Sequence, residues 1–104
     1  MKNAMFKACP VGRALEVIGD KWSLLIIRNL FRLGAQRFQD LEDGVPGIAP
    51  NTLSARLKSL MAQGIIARRF YEEHPPRGEY FLTDKGRALG PLLKALHRWG
   101  EEYG

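Results

Sequence analysis

The feature that most constrains the fold is the run "RFQDLEDGVPGIAPNTLSARLKSLMAQG", residues 37–64. A short helical pattern places Phe38 and Leu41 on one side, and "GVPGI" then interrupts it with a turn rich in Gly and Pro. A longer helical pattern follows and ends at Gly64, a residue suited to a C-cap. Its apolar positions, spaced i, i+4, i+7 and i+8, are Leu53, Leu57, Leu60 and Met61. Two helices joined by a tight turn predict a helix-turn-helix.

A second constraint is the pair of strand-like runs that follows directly, "IIARRFY" and the shorter "EYFL". The loop between them carries Pro75, Pro76, Arg77 and Gly78, and the prolines stiffen it toward an extended shape. A hairpin in this position is a wing, and we expect its tip at about residues 72–79. We expect Arg77 to contact phosphate or a narrow minor groove there. The alternative is an ion pair with a nearby acid, Glu72, Glu73 or Glu79.

The chain before this motif contains two helical patterns. The first begins near Pro10 and stops at Gly19, and Asp20 is placed to cap the next helix. That next pattern, "KWSLLIIRNLF", is apolar almost all round and ends at Gly34. A helix that is apolar on every side is typical of a protein core, so we expect it to be central and buried.

The chain after the hairpin ends in one more helical pattern. Thr83 is placed to cap it, and we expect the Gly90-Pro91 pair to kink its start. With 104 residues, 45% of them hydrophobic, the chain is long enough for one compact domain and too short for two. The predicted fold is mainly α with a small β-hairpin wing, an α+β winged helix-turn-helix that forms a single domain over residues 1–104.

The charge of the chain favours nucleic acid as a partner. Sixteen Lys and Arg against eleven Asp and Glu give a net charge of +5 and a pI near 9.7. The segment from Gly44 to Tyr71 contains no acidic residue and carries +4 of that charge. Double-stranded DNA fits such a surface, although a solvated basic face would show the same composition.

Other functional classes find little support in the sequence. A single cysteine excludes an internal disulfide, and there is no clustered His/Cys/Asp set for zinc and no nucleophile–base pair. We therefore expect no enzymatic activity, no metal and no cofactor. No apolar run approaches the roughly 18 residues of a transmembrane helix, and "MKNAMFKACPVGR" lacks the apolar stretch of a secretory signal. We expect no membrane partner and a cytoplasmic location.

The second helix of the motif turns a polar face away from its leucines. That face holds Asn51, Ala55, Lys58 and Ser59, with Thr52 and Arg56 on its flanks. Such short or basic side chains can approach base edges and phosphates without clashing. An ordinary amphipathic surface helix has the same pattern, so this face alone does not decide the function.

The full set of expected DNA contacts extends from this helix, which we place at about residues 50–63, to the wing. It comprises Arg37, Asn51, Thr52, Ser54, Ala55, Arg56, Lys58, Ser59, Arg68, Arg69 and Arg77. Arg68 and Arg69 are adjacent on a strand and therefore point to opposite faces. We expect one of them to face solvent or phosphate and the other to pair within the fold.

Three stretches of the chain resemble, in order and spacing, the signatures of the HxlR-type winged helix-turn-helix regulators, relatives of the MarR group. They are "CPVGRALEVIGDKWSLLIIRNL", "RFQDLEDGVPGIAPNTLSARLKSLMAQGIIAR" and "PPRGEYFLTDKGRAL…W". The resemblance implies a cytoplasmic, DNA-binding transcriptional regulator of bacteria or archaea, without catalysis. It also implies a homodimer on a pseudo-palindromic site. We expect the regulator to respond to redox state or to a small effector.

Two residues depart from that family pattern. Ala49 stands where the family usually has Ser before the recognition helix, so the N-cap hydrogen bond should be missing at a cost of ~1 kcal/mol, partly offset by Pro50 at N1. Gly78 replaces a usual β-branched residue and suggests a more flexible wing tip. Cys9 lies where some members carry a redox or electrophile sensor, and the alternative is an inert buried thiol.

The terminal helices are the expected dimer interface, since the last helix has an apolar stripe longer than one small domain can cover. The residues we assign to it are Val11, Leu15, Leu92, Leu93, Leu96, Trp99 and Tyr103. The alternative function is a winged-helix protein-interaction module that dimerises without sequence-specific DNA binding.

Overall fold

A computed structural model describes residues 8–73 and 76–104. Its elements in chain order are α1 Pro10–Ile18, α2 Ser23–Leu33, α3 Phe38–Gly44, α4 Pro50–Ala62, β1 Ile66–Glu73, β2 Pro76–Leu82, α5 Asp84–Arg87 and α6 Gly90–Tyr103. Helices with one antiparallel hairpin after the helix-turn-helix confirm the predicted winged fold. The suggested stiffening of the hairpin by Pro75 lies outside the described residues.

The core lies where α2, α3 and α4 meet the base of the hairpin. Its fully buried large side chains are Ile26, Ile27, Leu41, Leu53, Leu57, Leu60, Ile66 and Val45. The three predicted leucines of α4 are among them, whereas Met61 at the edge of the stripe is only partly buried. Because each buried Leu or Ile contributes about 1.5–3 kcal/mol, this stripe fixes the rotation of α4 and hence which face it turns outward.

The expectation that α2 is central and buried holds for its core-facing side and not for its last turn. Ile26 and Ile27 are fully buried, but Phe31 is 43% and Leu33 is 64% exposed. The physical reason is that the described elements pack against only one side of the helix, so the last turn projects past the core. The helix begins at Ser23 and ends at Gly34 as the C-cap.

Asp20 organises the turn before α2, although the N-cap residue of the helix is Trp22 and not Asp20 as expected. Its carboxylate accepts hydrogen bonds from the backbone N–H groups of Trp22 and Ser23, both at 3.0 Å, and from the Ser23 hydroxyl. Partial burial raises the pKa of Asp20, but these hydrogen bonds and the charge of Arg56 outweigh burial and hold the pKa below its usual value. The acid is therefore stabilised as a carboxylate.

The boundaries of α4 follow from its end residues. Ala49 is the N-cap in an extended conformation, and its methyl side chain makes no capping bond, as predicted. At the other end the N–H of Ile65 donates to the Leu60 carbonyl and that of Gly64 to the Met61 carbonyl, both at 3.0 Å. This is a Schellman motif, and Gly64 takes the left-handed φ of 73° that it requires.

The hairpin differs from the prediction in one important respect. β2 begins at Pro76 instead of Glu79, so Arg77 lies within a strand, opposite Glu72, and not in a loop at the tip. Gly78 is likewise a strand residue, opposite Phe70. The tip that it was expected to make more flexible lies outside the described residues. The cause is cross-strand pairing, which extends the ladder through residues whose local sequence favours a loop.

The C-terminal helical pattern is two helices. Thr83 Oγ1 accepts a hydrogen bond of 3.2 Å from the N–H of Gly86 and so caps the short α5. The chain then turns at Ala88 and Leu89 before α6 starts with Gly90 and Pro91. The expected kink is present as a complete break, because Pro91 cannot donate to the preceding turn and favours a helix start.

Candidate nucleic-acid interface

The outward face of α4 carries the residues expected to read DNA. Asn51, Ala55 and Lys58 are exposed, while Thr52, Ser54 and Ser59 are partly buried along the edges. Arg56 is partly buried too, and its Nη1 lies 3.5 Å from Asp20 Oδ1. Arg56 therefore connects α4 to the turn before α2.

Arg37 lies at the start of α3, where it is the N-cap residue. Its guanidinium donates to both carboxylate oxygens of Asp40, at 3.2 and 3.3 Å, and its backbone N–H donates to Asp40 Oδ2 at 3.1 Å. This contact lowers the pKa of Asp40, and Asp40, followed by the phenol of Tyr71, raises the pKa of Arg37. The pair fixes the direction of an arginine that remains exposed to solvent.

The hairpin is joined to this end of α3 through backbone hydrogen bonds between Gln36 and Tyr80. The N–H of Gln36 donates to the Tyr80 carbonyl at 2.9 Å, and the N–H of Tyr80 donates to the Gln36 carbonyl at 2.7 Å. Arg37 is the next residue after this bridge. The bridge therefore places the start of α3 beside the hairpin.

The two neighbouring arginines of β1 have different surroundings, as predicted. The guanidinium of Arg68 lies 4.6 Å from the ring centre of Phe70 and 5.4 Å from that of Tyr80. On the opposite face, Arg69 forms an ion pair of 2.7 Å with Glu79 and lies over Phe81. Arg69 is thus the arginine that pairs within the fold, and Arg68 is the one that faces the α3 side of the hairpin.

A concave pocket of about 230 Å³ lies between the start of α3 and the hairpin. We call it the arginine pocket; it is lined by Arg37, Phe38, Gln39, Arg68, Tyr71, Arg77, Gly78 and Tyr80. The structure therefore brings together three of the predicted DNA contacts, Arg37, Arg68 and Arg77, and separates Arg69 from them. Tyr71 was not predicted as a site residue, and the only signal for it was a pair of aromatic residues directly after two arginines.

The terminal helices expose most of the apolar side chains assigned to a dimer interface. Val11 is 67%, Trp99 62% and Tyr103 67% exposed, and Leu15, Leu92 and Leu96 are exposed as well. The rings of Trp99 and Tyr103 lie 5.5 Å apart. Leu93 differs, because it is partly buried against the core. Sequence reasoning missed two further exposed side chains, Phe31 and Leu33 of α2.

A groove of about 710 Å³ runs between α2 and α6 beside this stripe. Its apolar lining includes Leu24, Leu25, Phe31 and Leu93, and basic residues of both helices lie along it. The groove shows that α6 is packed against the rest of the fold along only part of its surface.

Cys9 is the N-cap residue of α1 and is exposed, so the interpretation of it as a buried thiol is wrong. The sequence pattern had suggested burial because free cysteine is usually a core residue. Across residues 8–73 and 76–104 no group of three or more His, Cys, Asp or Glu side chains is arranged to hold a metal ion. Over the same residues, none of the helices combines the length and apolarity needed to cross a membrane.

Comparison with known proteins identifies the family. The model of the HxlR-like helix-turn-helix family matches residues 17–104. The chain belongs to this family. It is a helix-turn-helix transcriptional regulator, which confirms the resemblance noted in its sequence.

Individual relatives agree with this assignment. The chain is 42% identical over 95 residues to an HTH-type transcriptional regulator of Synechocystis sp., covering 91% of this chain and 70% of that protein. A MarR-family regulator structure from Porphyromonas gingivalis matches with a TM-score of 0.87 and 32% identity, over 100% of this chain and 98% of that one. The reduced form of the redox regulator HypR matches with a TM-score of 0.84 and 36% identity, over 90% of this chain and 92% of that one. The chain spans 61% to 88% of the length of its curated relatives.

Proposed function

We propose that this HxlR-like regulator binds a specific pseudo-palindromic duplex as a homodimer, with α4 in the major groove and the hairpin against the DNA backbone. The observation that carries this proposal is the outward face of α4. Asn51, Ala55 and Lys58 are exposed there, on a helix whose rotation is fixed by three buried leucines. A short, acid-free helix face can enter a groove about 12 Å wide and reach base edges.

The proposed contacts fall into two groups. The base-reading group lies on α4 and comprises Asn51, Thr52, Ser54, Ala55, Lys58 and Ser59, with Arg56 beside it. The residues proposed to contact phosphates are Arg37, Arg68, Arg77 and Arg69. Arg69 shares its charge with Glu79. Phosphate contacts set the position of the protein on the duplex, whereas contacts to base edges select the sequence.

Selection of bound fragments from genomic DNA, followed by a salt titration on the selected operator, tests this function. A dimer that neutralises several phosphates should show a steep linear fall of log K with log salt concentration, with a slope of about −0.9 for each phosphate. The alternative, a protein-interaction module, predicts no enrichment of any sequence and no binding to duplex DNA.

Dimerisation is supported by the exposed stripe on α1 and α6. A two-fold dimer would cover Val11, Leu15, Leu96, Trp99 and Tyr103 with the same surface of a second copy. The two α4 helices would then enter successive turns of one groove, about 34 Å apart, so the site would be pseudo-palindromic. A regulator that binds chromosomal DNA would act in the cytoplasm. This function requires neither catalysis nor a cofactor.

A redox response through Cys9 is a second candidate function. Two observations favour it: the thiol is exposed at the N-cap of α1, and the similar protein HypR is described as a redox regulator. With one cysteine in the chain, oxidation gives a mixed disulfide, a sulfur oxyacid or an intersubunit disulfide. Mild oxidant should change the operator affinity of the wild type and not of Cys9→Ser, whereas equal responses would leave Cys9 an inert thiol.

A further inference from the structure

We propose that the arginine pocket is a preformed binding site for a single phosphate group, and that its occupant is one backbone phosphodiester of the operator in each half-site. This inference rests on the proposed function and adds a specific ligand position to it. Its central residues are Arg37, Arg68, Tyr71 and Arg77.

The first step of the argument is that the two walls of the pocket are fixed to each other. Gln36 and Tyr80 exchange two backbone hydrogen bonds of 2.9 and 2.7 Å. Arg37 follows Gln36 directly, and the Asp40 carboxylate holds its guanidinium at 3.2 and 3.3 Å. The wall from α3 therefore cannot separate from the hairpin wall without breaking the bridge, and the Asp40 contact holds Arg37 in place on its own wall.

The second step is a β-bulge that redirects Tyr71. Phe70 pairs with Gly78 and Glu72 pairs with Arg77, so Tyr71 is an extra residue with no partner on β2. A bulge turns the side chain of its extra residue away from regular alternation, and bulges are common beside functional sites. Here Tyr71 lines the same pocket as Arg68, three residues before it, and as Arg37 of the opposite wall.

The third step is that Gly78 leaves room for the guanidinium of Arg68. A Cβ atom at position 78 would lie 3.2 Å from Arg68 Nε and 3.1 Å from the Arg69 carbonyl oxygen. Without it, Arg68 can lie on the rings of Phe70 and Tyr80, at 4.6 and 5.4 Å. Stacking on two rings orients the planar guanidinium before any ligand arrives.

The fourth step is charge. Three guanidinium groups and a phenol line a space of about 230 Å³, and none of the described residues lining it is acidic. Asp40 contacts Arg37 but is not part of the lining. Arginine binds phosphate oxygens through paired, charge-assisted N–H···O bonds, so one phosphate group in this space would accept hydrogen bonds from both walls of the pocket.

The test uses operator duplexes in which one phosphate per half-site is replaced by an uncharged methylphosphonate, scanned along the backbone. The wild type should lose about tenfold in affinity at one position per half-site. Arg77→Gln and Tyr71→Phe should bind the unmodified operator more weakly than the wild type. Their affinity should fall little further when the methylphosphonate replaces the phosphate at that position. Lys94→Gln, which removes the same charge as Arg77→Gln from the exposed surface of α6, is the control. Its affinity should still fall when the methylphosphonate stands at that position. Thermal unfolding at the wild-type temperature confirms that each variant is folded.

The outcomes separate this inference from the proposed function. Full sensitivity of the pocket variants to the same methylphosphonate, with sequence-specific binding intact, would overturn the pocket and leave the function standing. Absence of duplex binding by the wild type would overturn both. In a third arm, inorganic phosphate is titrated at constant ionic strength. Saturable binding of inorganic phosphate at low concentration, together with an operator affinity that no methylphosphonate position changes, would identify a free phosphate as the occupant. That result would overturn the assignment to DNA.

Discussion

Asn29 Nδ2 donates a hydrogen bond of 2.7 Å to the carbonyl oxygen of Gly44, which ties the buried face of α2 to the last residue of α3. Asn29→Ala removes the donor and leaves that carbonyl without its partner. A buried group left unsatisfied costs about 1–3 kcal/mol, so the free energy of unfolding should fall by that amount. Urea denaturation measures it, with Asn51→Ala on the exposed face of α4 as the control. Equal stability of the two variants would show that the bond is not important.

The missing N-cap of α4 predicts a stabilising substitution. Ala49 already has the extended conformation of an N-cap, with φ −76° and ψ 148°, so a serine hydroxyl there can accept a bond from the first turn. Ala49→Ser should raise the free energy of unfolding by about 1 kcal/mol. Ala55→Ser, in the exposed middle of the same helix, should give no gain. A gain at position 55 equal to that at 49 would mean that capping is not the cause.

The parts of the fold that were predictable from the sequence rest on short-range patterns. Periodicity predicts that the leucines of α4 are buried and that Arg68 and Arg69 lie on opposite faces. The chemistry of one residue, Ala49, predicts the missing cap. The bulge at Tyr71 does not, because it exists only relative to the partner strand.

The same limit explains the errors. Pro76 and Gly78 favour a loop in local sequence, yet pairing with β1 makes them strand residues. The exposure of Cys9 and of Phe31 depends on which surfaces other elements reach. The arginine pocket was therefore not predictable as a unit, although three of its residues had been assigned to DNA binding one by one.

Asp20 predicts a pH dependence of stability. Its folded-state pKa lies below the model-compound value of 3.8, so its contribution is present above that value and is lost as the pH falls through the folded pKa. The stability difference between the wild type and Asp20→Asn should be constant at neutral pH and shrink below about pH 4. Urea denaturation from pH 7 to pH 3 measures this difference. A difference that grows on acidification would contradict the hydrogen-bonding role assigned to the carboxylate.

The exposed stripe on α6 predicts that assembly is sensitive to charge there. Trp99→Asp should convert the proposed dimer to a monomer at micromolar concentration, because two unpaired carboxylates would be buried across its two-fold axis. Sedimentation velocity reports the mass, and Phe70→Asp, which places the same charge on an exposed aromatic of the hairpin, is the control. A wild type that sediments as a monomer, or a Trp99→Asp protein that remains dimeric, would rule out this interface.

The most direct test of the account is the salt dependence of binding to the selected operator and to a scrambled duplex, measured for the wild type, Asn51→Ala and Arg77→Ala. Asn51→Ala should lose about 1–3 kcal/mol on the operator and little on the scrambled duplex, because a base contact carries sequence information. Arg77→Ala should weaken both complexes alike and reduce the salt slope by about two per dimer, since each wing loses one phosphate contact. Equal wild-type affinity for the two duplexes at every salt concentration, or an Arg77→Ala protein with unchanged affinity and slope, would contradict the account.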